Sequence, residues 1–187
     1  MRYDLKSFVE LECDNVGIIA NKTVAYLEKT IGFGERKVPW VFLNLKEVLS
    51  AIPDYITYFK KHKLLPRGCA CTVLHKDLSL HIDALPVIAK MNFPILNTSS
   101  WSNRWYSCDM DLLASLPEKK DPLGLDNLDV SSIKNEELTL IAECANFNQP
   151  IILNSQQLHS VERTSDSIVP RVMMTFTFVN DPWELLK

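Results

Sequence analysis

Through the first third of the chain, apolar and polar positions alternate with the period of a helix. Apolar side chains recur at three- and four-residue steps over 16–31, and Gly32 and Gly34 follow, so the pattern predicts a helix with a glycine stop. Asn44 with Glu47 three residues later has the form of a capping box and opens a short helix over 45–51. Pro53 stands where a helix tolerates proline in its first turn, and Pro66 closes the element that follows it. Between these helices only 38–43 reads as strand-like.

After Gly68 the period shortens to two. The segments 69–76, 78–83, 89–97, 138–146, 150–154 and 171–179 are short and rich in β-branched and aromatic residues, with Pro, Asn, Asp or Ser between them. Short strands without long helices between them predict an antiparallel sandwich or barrel, not a parallel sheet. The fold class is therefore α+β: mainly β, with N-terminal helices packed on one face. One domain is expected over 1–187, mostly helical over 1–66, with a β-barrel core over 67–187. A polar insertion, 116–137, interrupts the barrel, and loops of this length serve as functional covers or mobile segments. Here it is expected to cover a pocket. The last strand has two unlike faces. Val172, Met174, Phe176 and Phe178 form a core face, while Arg171, Met173, Thr175 and Thr177 belong to the inner wall of the barrel.

Composition narrows the class. The 187 residues are 47% apolar and 23% charged, ordinary globular usage that excludes disorder, collagen and coiled coil. Lys and Arg number 20 against 23 Asp and Glu, so the net charge is −3 and the basic footprint of a nucleic-acid binder is missing. No run approaches the roughly 20 apolar residues of a membrane helix. The first fifteen residues carry acids throughout and do not read as a secretory signal. Cys13, Cys69, Cys71, Cys108 and Cys144 contain no CxxC pair, so a zinc knuckle or thioredoxin-type site is not expected. They read as reduced thiols of a cytoplasmic protein.

The chemistry gathers around two of the four histidines. His62 lies in a lysine-rich helical stretch and is solvated; His75 sits in a turn and is given no role. His81, Ile82 and Asp83 end an apolar run. In a strand, residues two apart project from one face, so imidazole and carboxylate point together. Two histidines and one carboxylate with open positions form the facial triad of non-haem Fe(II) oxygenases. His159 follows a strand, and Arg171 opens the next. A buried guanidinium is costly unless a fixed anion meets it, and its planar fork matches a carboxylate. Arg171 thus asks for a carboxylate ligand, unless its head reaches water or a nearby acid.

In this order, His-x-Asp, a second histidine and an arginine opening the terminal strand resemble the Fe(II)/2-oxoglutarate-dependent dioxygenase superfamily. The likeness spans about residues 68–180 and is closest to the small prolyl-hydroxylase-like and phytanoyl-type members. The resemblance implies a double-stranded β-helix, or jelly roll. It implies that His81, Asp83 and His159 hold Fe(II), that Arg171 grips the distal carboxylate of 2-oxoglutarate, and that Asn97 assists there. It further implies an enzyme that uses O2 to hydroxylate an unactivated C–H of a small molecule or peptide side chain, releasing succinate and CO2. Trp101, Trp105, Tyr106 and Arg104 are then expected at the substrate pocket. Two features depart from the pattern: Met173 replaces the serine many relatives carry two residues after the arginine, and the glycine pair usual in prolyl hydroxylases is missing. The alternative is a non-catalytic or differently metallated cupin-like binding module, although the His-x-His and later Glu usual there do not occur. A structural protein without metal is the remaining class.

Overall fold

The computed structural model describes residues 5–83, 87–120, 126–164 and 168–187. Local chemistry sets the ends of its first elements. A short strand, β1 (Phe8–Glu10), precedes helix α1 (Val16–Thr30), which runs out just before Gly32, whose φ of 66° suits glycine. After strand β2 (Trp40–Leu43), the Asn44 side chain accepts from the Lys46 and Glu47 amides at 3.0 and 3.4 Å and so opens helix α2 (Leu45–Ala51). Pro53 begins α3 (Asp54–Lys61), as its fixed φ favours. No helix among the described residues is long and apolar enough to cross a membrane.

The chain then enters β3 (Pro66–Leu74), β4 (Leu78–His81), β5 (Ala89–Leu96) and β6 (Trp101–Ser107). Helix α4 (Met110–Ser115) and the small strands β7 (Glu118–Lys120) and β8 (Asp126–Leu128) intervene. The strands β9 (Thr139–Cys144), β10 (Ile151–Asn154), β11 (Leu158–Arg163) and β12 (Arg171–Phe178) complete the chain's β structure. Among the described residues the strands form a six-stranded antiparallel sheet, β1-β10-β5-β12-β3-β2, and a four-stranded one, β4-β11-β6-β9, with β7 and β8 paired apart.

The two faces of β12 explain how these layers stack. Val172, Met174, Phe176 and Phe178 meet Ile19 and Leu27 of α1 and Tyr55, Tyr58 and Phe59 of α3, so the helices cover the outer face of the larger sheet. Tyr55 stands edge-on to Phe93 at 5.2 Å, and its hydroxyl bonds the Thr23 hydroxyl at 3.0 Å. Each such apolar side chain contributes about 1.5–3 kcal/mol on burial, which makes this sheet the rigid wall of the sandwich. Its inner face meets the smaller sheet: Met173, Ile151 and Leu153 pack on Trp105, and Leu74 packs on Trp101 and Val161.

Two differences from the sequence expectation bear on the site. Strands β6 and β11 lie in segments without the strand pattern. The insertion, moreover, is not simply a polar cover. Its described parts send Leu116 and Val130, with Leu128 and Ile133, against Ile82 and Leu158 on the outer face of the smaller sheet. It backs that wall; residues 121–125 lie outside the described residues.

Candidate metal and carboxylate site

β4 and β11 are antiparallel neighbours, and their register sets His81 directly opposite His159. The ring centroids are 4.1 Å apart with planes at 49°. Asp83, two residues past His81, turns the same way and brings Oδ2 to 3.5 Å from His159 Nε2. One candidate ligand atom from each residue lies within 4.8 Å of the others. Two imidazoles and one carboxylate are a donor set suited to a divalent transition metal.

The backbone prepares both rings as ligands. Nδ1 of His81 donates to the Ser79 carbonyl and Nδ1 of His159 to the Gln157 carbonyl, each at 2.8 Å. A carbonyl only accepts, so each Nδ1 carries the proton and each Nε2 keeps a free lone pair, that of His159 being 3.5 Å from Asp83 Oδ2. Burial lowers the His81 pKa against the pull of Asp83. Burial and then the neighbouring His81 push His159 down to about 3. Both imidazoles are therefore neutral near pH 7. Burial alone would raise Asp83, but Lys90 above all, then His159 and His81, hold its carboxyl well below the usual range. The peptide between His81 and Asp83 is fixed from behind: the Asp83 amide donates to the Ser155 carbonyl at 3.0 Å, and Asn127 Nδ2 donates to the Ile82 carbonyl at 2.7 Å.

Arg171 lies on the facing sheet with 0% of its surface exposed. Its Nη2 donates to Asn103 Oδ1 at 3.0 Å, and the Trp101 and Phe147 rings flank the guanidinium at 5.9 and 5.7 Å. Among the described residues no carboxylate pairs with it, and burial pulls its pKa down from the ordinary arginine value. Nε and Nη1 of Arg171, Nδ2 of Asn103 and Nε1 of Trp105 have no partner. All four are donors. An acceptor-only ligand such as a carboxylate matches them, and an arginine fork matches it with two parallel bonds.

The remaining candidates separate by face. Trp105 is opposite His159 in register, 1% exposed and stacked on Phe8 at 5.0 Å, so it forms part of the inner wall. Trp101 lies beside the Arg171 guanidinium. Arg104 and Tyr106 alternate with these residues and so point to the outer face. There Arg104 pairs with Glu143 at 3.0 Å and with Glu162, and the Tyr106 hydroxyl donates to Glu162 at 3.1 Å. The structure does not bring them to the inner wall. Asn97 takes a left-handed φ of 53° and donates to the Pro170 carbonyl at 2.9 Å, holding the entrance of β12. The amide on the guanidinium is that of Asn103, on the inner-face alternation Trp101, Asn103, Trp105. Lys90, whose ammonium lies against Asp83, is the second residue the sequence reading missed. A lysine inside the largely apolar run of β5 was the available signal.

No protein-family model matches the chain, and no curated protein matches its sequence. Solved structures do match. The epimerase SnoN, in complex with Fe3+, α-ketoglutarate and nogalamycin RO, aligns with a TM-score of 0.60 at 10% identity, covering 94% of this chain and 79% of that chain. HygX from Streptomyces hygroscopicus, with iron bound, aligns with a TM-score of 0.50 at 12% identity, covering 94% and 83%. The chain thus has a cupin-like β-sandwich fold shared with these proteins.

Proposed function

We propose that this chain is an iron- and 2-oxoglutarate-dependent oxygenase on a double-stranded β-helix, with His81, Asp83 and His159 holding Fe(II) and Arg171 anchoring the distal carboxylate of 2-oxoglutarate. The observation that carries this reading is a pair of incomplete sites on facing sheets. One offers two free imidazole lone pairs and a carboxylate; the other holds a buried guanidinium with two nitrogens unpartnered. A divalent cation completes the first, and a dicarboxylate the second. The strand order β3-β12-β5-β10 facing β4-β11-β6-β9 supports the double-stranded β-helix. The iron and α-ketoglutarate bound by SnoN support the cofactor pair.

When bound, the iron, 2-oxoglutarate and O2 together supply the power to oxidise an unactivated C–H bond, with succinate and CO2 released. The protein's part is geometry. Ser79 and Gln157 hold the imidazoles in the ligating tautomer. Arg171 grips the distal carboxylate, and Asn103 Nδ2 joins it in the place of the hydroxyl that Met173 lacks. Trp105, Phe8, Leu153 and Met173 keep the space between the sheets apolar and dry. The substrate is a small molecule or a peptide side chain, and hydroxylation is the net reaction. Five unpaired thiols fit a reducing, cytoplasmic setting.

The test is spectroscopic. Anaerobic Fe(II) with 2-oxoglutarate gives a weak visible charge-transfer band in the wild type, and O2 then yields succinate. A wild type that shows neither band nor succinate overturns the reading.

A further inference from the structure

Iron and cosubstrate, placed as proposed above, leave one charge on the inner wall without a role. Lys90 lies on β5 opposite Leu153 in register, so it faces the smaller sheet, and its side chain is 18% exposed. Its ammonium lies against Asp83 Oδ2. That same oxygen is 3.5 Å from His159 Nε2, on the side where a cation would be held. One carboxylate oxygen therefore serves two positive groups. An ammonium has three donors and no lone pair, so it competes with a metal for the oxygen and cannot join it as a ligand.

Charge bookkeeping then decides where the ammonium goes. Without metal, Lys90 and Asp83 cancel. A divalent cation taking Asp83 leaves the ammonium beside an excess of positive charge, while the carboxylate of Asp181 is already engaged by the amides of Ile88 and Ala89 at 2.7 and 3.0 Å. The neighbours on its face are Leu153 and Asn92, and the Asn92 oxygen is already engaged by the Thr175 hydroxyl at 2.8 Å. The anion that the oxygenase reading brings to the metal is a dicarboxylate, and Arg171 needs only one end of it.

We propose that Lys90 is an exchangeable counter-ion: it neutralises Asp83 in the metal-free protein, and on metal loading it transfers to a carboxylate of the ligand that binds at that metal. The transfer half rests on the oxygenase reading; the counter-ion half rests on the Asp83 contact alone. Two cations sharing one oxygen make removal of Lys90 favourable to the metal and unfavourable to the anion. A merely structural lysine would move both affinities the same way.

The experiment uses Co(II), whose d–d spectrum reports binding without turnover, in the wild type and in Lys90→Met and Lys90→Gln, with circular dichroism as the fold control. Both variants are expected to bind Co(II) about tenfold more tightly, the effect of roughly one partly buried charge contact. The Co(II)-loaded variants are then expected to bind 2-oxoglutarate about tenfold more weakly, with Lys90→Arg restoring it. Weaker or unchanged Co(II) binding in both variants overturns the counter-ion. Tighter Co(II) binding with unchanged 2-oxoglutarate affinity overturns the transfer, and points instead to a substrate carboxylate. A wild type that binds Co(II) but shows no response to 2-oxoglutarate sinks the oxygenase reading and leaves the counter-ion result standing.

Discussion

His81 and His159 are register partners on adjacent antiparallel strands, with ring centroids 4.1 Å apart. Strand side chains alternate with a period of two, so a one-residue slip between β4 and β11 would turn one imidazole to the opposite face and dismantle the cluster. Two features resist such a slip. Leu158 and Ile82, flanking His159 and His81, are buried together on the outer side under the insertion. On the inner side His159 is fixed opposite Trp105 by the β6 pairing. The cluster of His81, Asp83 and His159 is thus a consequence of sheet register, held by packing on both faces of one wall.

Acid should unfold the metal-free protein through this cluster. An unfolded imidazole titrates near 6.5, whereas burial and His81 hold His159 at about 3 in the folded chain. Between those values the unfolded chain binds a proton the folded chain does not, so stability falls as pH falls through that window. Asp83, held below the usual carboxylate range, acts with the same sign at lower pH. Urea unfolding from pH 7 to pH 4 is expected to lose up to a few kcal/mol at this site in the wild type, and less in His159→Asn. Parallel curves for the two proteins would refute the assignment.

Arg171 yields a prediction with opposite signs for stability and binding. Its guanidinium is fully buried with two nitrogens unpartnered. Replacing such a charge by an apolar side chain of similar reach is often neutral or stabilising by about 1–4 kcal/mol. Arg171→Met is therefore expected to keep or raise the stability of the ligand-free protein and to leave Fe(II) affinity unchanged. Its 2-oxoglutarate affinity should fall by about 30-fold or more, the cost of losing a buried charged anchor. Chemical unfolding and titration of the charge-transfer band measure the two effects separately. A folded variant that binds 2-oxoglutarate normally contradicts the carboxylate role.

How far the sequence carried depended on which face of each strand was apolar. β3, β5, β10 and β12 were legible because the helices cover them and their outer faces are continuous core. β6 and β11 were not. Their outer faces carry Ser102, Arg104, Tyr106, Ser160 and Glu162, joined in one hydrogen-bonded network, and their inner faces carry Asn103 and His159. With polar side chains on both sides, hydrophobic alternation disappears. Missing β6 also lost its phase, which is why Arg104 and Tyr106 were expected on the pocket side. The local pair His81 and Asp83 was readable from spacing. The contact of Asn103 with Arg171 crosses from one sheet to the other, and nothing local encodes it.

That outer network makes Arg104 a control for the pocket assignment. Its side chain is 37% exposed and paired with Glu143 and Glu162. Exposed pairs of this kind contribute about 0.2–1 kcal/mol. Arg104→Ala is expected to cost no more than that in urea unfolding and to leave Co(II) and 2-oxoglutarate affinities within twofold of the wild type. A large loss of 2-oxoglutarate binding would return Arg104 to the site.

The insertion is predicted to set metal affinity through one side chain. Asn127 Nδ2 donates to the carbonyl of Ile82, the residue between His81 and Asp83, at 2.7 Å. The amide of Leu128 donates back to Asn127 Oδ1 at 2.8 Å, which fixes the direction of the donor. Asn127→Ala frees this peptide to rotate and with it the angle between imidazole and carboxylate. Loss of an outer-shell partner lowers metal affinity about 10- to 100-fold, and that is the expected fall in Co(II) affinity. The lost hydrogen bond itself costs about 1 kcal/mol, so the metal-free protein should stay folded. At saturating Co(II), 2-oxoglutarate affinity should be unchanged, because Arg171 and Asn103 lie on other elements. Unaltered Co(II) affinity beside a lowered melting temperature would reduce the insertion to a purely structural cover of the smaller sheet.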